Sequence, residues 1–140
     1  MSTENHQDRA GIIERLKAAG VTPTQQRVEI AAILFARDQH MSADQVLALV
    51  NDQSPRVSKA TVYNTLGLFA EKGLLREVIV DPAKVFYDSN ISTHHHFYNA
   101  DTGHLMDIDP LNIRIPDLPT LPAGTVAEGV DVIIRLRKAK

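Results

Sequence analysis

The 140 residues are 44% hydrophobic and 23% charged, with seven Gly and seven Pro, a composition that excludes collagen, coiled coil and wholesale disorder. No apolar run approaches the roughly 20 residues of a membrane span, and the opening MSTENHQDRA is too polar for a secretory leader. A cytoplasmic protein with no membrane partner is therefore expected. The formal net charge is -2, and the chain has no cysteine, which removes disulfides, thiolate zinc sites and thiol nucleophiles and leaves His, Met and carboxylates for any metal chemistry. The charge is unevenly spread. Residues 1–76 hold nine Lys/Arg against eight Asp/Glu, whereas residues 77–134 hold two against nine, so a polyanion is a more natural partner for the first half and a cation for the second.

In chain order, Ile12, Ile13, Leu16 and Ala19 recur at helical spacing before Gly20, predicting a first helix from Arg9. Thr22-Pro23-Thr24-Gln25 carries a capping box with proline at the first helical position, opening a second helix to about Ala36 whose stripe is Val28, Ala31, Ala32 and Phe35. His40 and Met41 fall in the following turn. Ser42-Ala43-Asp44-Gln45 repeats the capping box ahead of a short third helix. NDQSPRV reads as a loop, and Ser58 caps a fourth helix with the apolar stripe Val62, Leu66, Phe69 and Ala70 and with Gly73 at its end. Glu77–Val80 and Lys84–Tyr87 flank Asp81-Pro82-Ala83 as a hairpin. Helices followed by such a hairpin make a winged helix.

Beyond about Asn90 the texture changes. His94–Ala100 and His104–Ile108 flank Asp101-Thr102-Gly103 as a second hairpin, Pro110, Pro116, Pro119 and Pro122 preclude a long helix, and Val130–Leu136 reads as a last strand. The expected fold class is α+β: a winged-helix DNA-binding domain over residues 1–90 and a small α/β domain for dimerisation and sensing over residues 91–140.

Two places carry chemistry. The outward face of the fourth helix is small and polar, with Ser58, Lys59, Ala60, Thr61 and Asn64 and with Tyr63 beside them, as suits approach to base edges in a major groove. Lys17, Arg27, Arg56 and Lys59 are cations placed to meet phosphates. The second place is Thr93-His94-His95-His96-Phe97. On a strand, His94 and His96 share one face about 6.8 Å apart at Cα, with His95 on the other. Imidazole with carboxylate suits Zn(II), Fe(II) or Mn(II), and imidazole alone suits haem iron; His40, Asp88, His104, Asp107 and Asp109 are the further candidate ligands. No Gly-rich phosphate loop, GxSxG turn or HExxH is present, so no enzyme is expected.

The runs VTPTQQRVEIAAIL, HMSADQVLALV, VSKATVYNTLGLFAEKGLLRE and STHHHFYNADTGHLMDID together resemble the ferric uptake regulator family of bacterial metal-responsive transcription factors. The resemblance covers residues 12–110, and its most specific pieces are ATVYNTL and the His-rich hairpin downstream. It implies a homodimer on a double-stranded, inverted-repeat operator, with Tyr63 at the position of the base-contacting tyrosine and Arg27 at the arginine of TPxR. Asn64 stands where the family usually has a phosphate-contacting arginine, and Lys17 lies near its minor-groove lysine. His40, Asp88, His96 and Asp107 fall on the regulatory metal site, aspartate replacing glutamate twice. The family's Cys-based structural zinc site is impossible: Asn99 and Thr102 occupy the first CxxC, and Thr93 and His95 replace the usual His and Asp.

The His triplet, the cysteine-free hairpin and the closing VDVIIRLRK are similar to the iron response regulator branch, whose members sense haem. The leading expectation is accordingly a dimeric regulator of iron and haem homeostasis, active under low iron and released from DNA when haem binds at His94, His95 and His96. The alternative is a repressor activated by Fe(II) or Mn(II), with the opposite response to its ligand.

Overall fold

The computed structural model describes residues 8–52, 57–92, 94–115 and 117–140. It is α+β. By density of internal contacts the chain forms two compact units, one ending at Ile91 and the other beginning at Ser92.

The first unit contains α1 (Arg9–Ala18), α2 (Gln25–Leu34), the short strand β1 (His40–Ser42), α3 (Ala43–Val50), α4 (Lys59–Glu71) and the hairpin β2 (Arg76–Asp81) and β3 (Lys84–Asp88). Each α-helix opens on a side chain that accepts a backbone N–H: Asp8 from Gly11, Thr24 from Arg27, Ser42 from Gln45 and Ser58 from Thr61. At α3 the capping box is complete, because Gln45 Oε1 also accepts the Ser42 N–H at 2.9 Å. The closures of α1 and α4 are of one kind. Gly20 and Gly73 adopt φ of 83° and 78°, which lets the next residue reach back: Val21 N–H to Leu16 O and Leu74 N–H to Phe69 O, both 2.9 Å.

The core of this unit is a single cluster in which Leu16, Leu34, Val46, Val62, Leu66 and Phe69 are fully enclosed. The Phe35 and Phe69 rings stack with centroids 6.3 Å apart. The Arg15 guanidinium lies 3.8 Å above the Phe35 ring, and burial pulls its pKa below the ordinary value. On α4 the buried residues are Val62, Thr65, Leu66 and Phe69; Thr65, not Ala70, completes the inward stripe.

Three further local expectations are corrected. The second helix is capped by Thr24 and begins at Gln25, so Pro23 precedes the cap instead of opening the helix; the Thr24 hydroxyl accepts the Arg27 N–H, while the Thr22 carbonyl is taken by the Thr24 N–H and the Arg27 guanidinium. The second helix stops at Leu34 instead of Ala36, because the Gln39 amide donates to the Ile33 and Leu34 carbonyls and satisfies the orphan acceptors of its last turn. His40 and Met41 are not in a turn; they form β1, which pairs antiparallel with β3 in the register His40↔Asp88, Met41↔Tyr87 and Ser42↔Phe86. Ser89 anchors this edge, its hydroxyl accepting the Gln39 N–H at 3.0 Å and its own N–H donating to Gln39 O at 2.9 Å. The sheet order is β1-β3-β2.

The second unit is a sheet of order β5-β4-β6 built from β4 (His95–Asn99), β5 (His104–Ile108) and β6 (Ile133–Leu136), with one 3-10 turn at Pro110–Asn112. β4 and β5 form the expected hairpin, β5 over the expected His104–Ile108 and β4 one residue shorter at each end than His94–Ala100; β6 begins at Ile133 instead of Val130 and runs parallel to β4. Among the described residues the only helical turn of this unit is the 3-10 one. No helix of the described residues is long and apolar enough to cross a membrane.

Candidate nucleic-acid face and metal centre

The polar face of α4 is exposed at Ser58, Lys59, Ala60, Tyr63 and Asn64 and half-buried at Thr61. The Ser58 and Thr61 hydroxyls hold each other at 2.9 Å. Arg27, Thr61 and Asn64 are brought to one recess together with Thr24, Gln26 and Thr65, and Arg27 is fixed there by a 3.0 Å hydrogen bond to Thr22 O. Lys17 is exposed on a separate recess beside Gly20, Thr22 and Pro23. Arg56 lies outside the described residues. Tyr63 is 41% exposed and lines a third recess with Asp44 from α3 and Pro82, Ala83 and Lys84 from the hairpin turn.

The Tyr63 hydroxyl donates to Asp44 Oδ1 at 3.0 Å, and that bond is the main reason its pKa lies above the ordinary phenol value. The Lys59 ammonium sits 5.6 Å from the Tyr63 ring centroid. Asp44, Thr24 and Gln26 were not singled out by sequence. Each occupies the start of a helix, and nothing in helical periodicity tells which side chains at a helix start will meet a neighbouring helix.

In the second unit, strand alternation divides the His triplet. His94 and His96 stand on one face with ring centroids 4.5 Å apart, and the β4–β5 register sets Asp107 opposite His96. Asp107 Oδ1 lies 3.1 Å from His96 Nε2 and 3.5 Å from His94 Nε2. The candidate ligand atoms of these three residues all fall within 4.8 Å of one another. His94 Nδ1 is 2.7 Å from the Ser92 carbonyl, an acceptor only, so Nδ1 is the donor nitrogen and Nε2 is the one turned toward the carboxylate. Two buried imidazoles with one carboxylate form a donor set for a divalent ion such as Mn, Fe or Zn.

His95 is not part of this group: its Nδ1 accepts the Val132 N–H at 3.0 Å and so ties β4 to the chain entering β6. The triplet expected to bind haem is thus divided, with His94 and His96 together and His95 apart. His40 and Asp88 are neighbours across β1 and β3 in the first unit. The His40 ring meets Phe86 edge-on at 6.2 Å, and the buried Asp88 accepts the Asn90 N–H at 2.9 Å.

Residues 18–117 match the profile of the ferric uptake regulator family. The chain belongs to that family. The peroxide-responsive repressor PerR of Staphylococcus epidermidis is 30% identical over 95 residues, which span 68% of this chain but only 63% of that relative's length. In three dimensions the chain is similar to the Pseudomonas aeruginosa ferric uptake regulator with manganese, with a TM-score of 0.67 and 25% identity over 91% of this chain and 97% of that one. The Vibrio cholerae ferric uptake regulator shares the fold at a TM-score of 0.69, with 20% identity over 90% of this chain and 98% of that one.

Proposed function

We propose that this member of the ferric uptake regulator family is a homodimeric, metal-responsive transcription regulator that binds a double-stranded DNA operator when a divalent cation occupies His94, His96 and Asp107. The observation that carries the reading is the convergence of two imidazole nitrogens on a single Asp107 oxygen. A bound cation supplies fixed positive charge there and cross-links β4 to β5. His40 and Asp88 are the further ligands that the family resemblance implies.

DNA contact is assigned to Tyr63, Asn64, Thr61, Ser58 and Lys59 on α4, with Arg27, Lys17 and Arg56 on the backbone. Dimerisation through the second unit is supported by its exposed apolar side chains, Leu111, Leu118, Leu121 and Val126 among them, on a piece too small to enclose a core alone.

The metal-activated reading is preferred to release by haem because His94 and His96 are buried with Asp107 at their Nε2 atoms and His95 Nδ1 is taken up by the Val132 N–H. The test is enrichment of randomised DNA duplexes by the protein with Mn(II), then affinity for the enriched duplex with Mn(II), with chelator and with haem. Tighter binding with Mn(II) and loss with chelator are expected. Release by haem, with no effect of Mn(II), would instead establish the haem-sensing branch.

A further inference from the structure

We propose that Asp44 is a specificity-determining positioning residue: by accepting the only O–H of Tyr63, it decides which base edges the recognition tyrosine can read. The inference rests on the DNA-binding reading above. It starts from a contact between two exposed residues 19 positions apart, the Tyr63 hydroxyl and Asp44 Oδ1 at 3.0 Å. A phenol has one donor and two acceptor lone pairs. With the donor spent, Tyr63 can present only its acceptor lone pairs and the edge of its ring.

The major-groove edge of guanine offers only acceptors, N7 and O6, whereas adenine and cytosine offer an amine and thymine a methyl group. A committed phenol therefore disfavours guanine opposite Tyr63 and tolerates the other three bases. Asp44 is well placed to hold this arrangement. It lies in the first turn of α3, where the helix amides favour a negative charge, and that turn is fixed by the Ser42–Gln45 capping box. The recess it shares with Tyr63 is also lined by Pro82, Ala83 and Lys84 at the hairpin. Being anionic there, Asp44 also weakens attachment to phosphates irrespective of sequence.

The experiment enriches randomised duplexes with the Mn(II)-loaded full-length protein and with Asp44→Ala, Asp44→Asn and Tyr63→Phe, each checked for unchanged thermal unfolding. Tyr63→Phe identifies the base pair that the hydroxyl governs. At that pair the wild type is expected to deplete guanine and Asp44→Ala to admit it, with roughly a tenfold to hundredfold loss of discrimination. Asp44→Asn keeps an acceptor oxygen and is expected to restore the preference while binding unrelated DNA more tightly. An absorbance titration supplies a readout independent of DNA: the Tyr63 phenol should ionise at lower pH in Asp44→Ala. Identical base frequencies in wild type and Asp44→Ala, or a Tyr63→Phe protein whose preferences change nowhere, would overturn the inference while leaving DNA binding intact. A wild type that enriches no sequence would overturn the DNA-binding reading and this inference with it.

Discussion

Asn51 ends α3, and its side chain spans the connection to the recognition helix. Its Nδ2 donates to Val57 O at 2.7 Å and its Oδ1 accepts the Val57 N–H at 2.9 Å, so one amide group does for Val57 what a neighbouring strand would do. Val57 is 4% exposed, and it immediately precedes the Ser58 cap of α4. In Asn51→Ala both bonds go, each with a net worth of about 1 kcal/mol, and two backbone groups of a buried residue are left to find water. A destabilisation of about 2 kcal/mol follows, equivalent to a fall in Tm of roughly 10 °C for a small domain. Asn51→Asp keeps the acceptor but sets an oxygen against the Val57 carbonyl, so it should be no more stable than Asn51→Ala. The assay is thermal and urea unfolding followed by circular dichroism. Operator affinity should fall in parallel, because the start of α4 loses its anchor. An Asn51→Ala protein within about 0.5 kcal/mol of wild type, the usual range for an inconsequential surface change, would refute the reasoning.

Tyr63→Ala is expected to cost about 1–3 kcal/mol of operator binding with little change in Tm, since the side chain is 41% exposed; electrophoretic mobility shift and thermal unfolding check the two halves. His96→Ala removes a buried donor from the cation cluster and should weaken Mn(II) binding by more than the roughly 10–100-fold that follows loss of a residue merely supporting a ligand, as read by calorimetry. Ser42→Ala removes the hydroxyl arm of the α3 capping box, leaving the Ser42 N–H bond to Gln45 in place, and should lower stability by about 1 kcal/mol in urea unfolding. The Tyr63 phenol is raised by its bond to Asp44, and the Tyr87 phenol by burial and then by Glu77. Folding thus favours their protonated forms, and this contribution is fully present below the ordinary value of 10.0 and lost as pH rises through the raised ones. An alkaline absorbance titration showing both groups ionising below pH 10.0 would contradict the assignment.

What the sequence by itself determined is what short-range chemistry determines. The starts of α3 and α4 were legible because Ser42 and Ser58 act on amides three residues away, and the ends at Gly20 and Gly73 because only glycine takes a positive φ there at little cost; at α2 the cap fell on Thr24, two residues past Thr22. Strand alternation separates His95 from His94 and His96, since successive side chains point to opposite faces. The pairing of distant segments was decided only by tertiary structure. β1 exists because His40–Ser42 meets the free edge of β3, and three residues carry no periodicity that would announce a strand. Asp44 gained its role from a tyrosine 19 residues later, Asn51 from the backbone of Val57, and His95 from Val132. Each is a polar side chain whose partner is chosen by how helices and strands pack, and packing depends on the whole core at once.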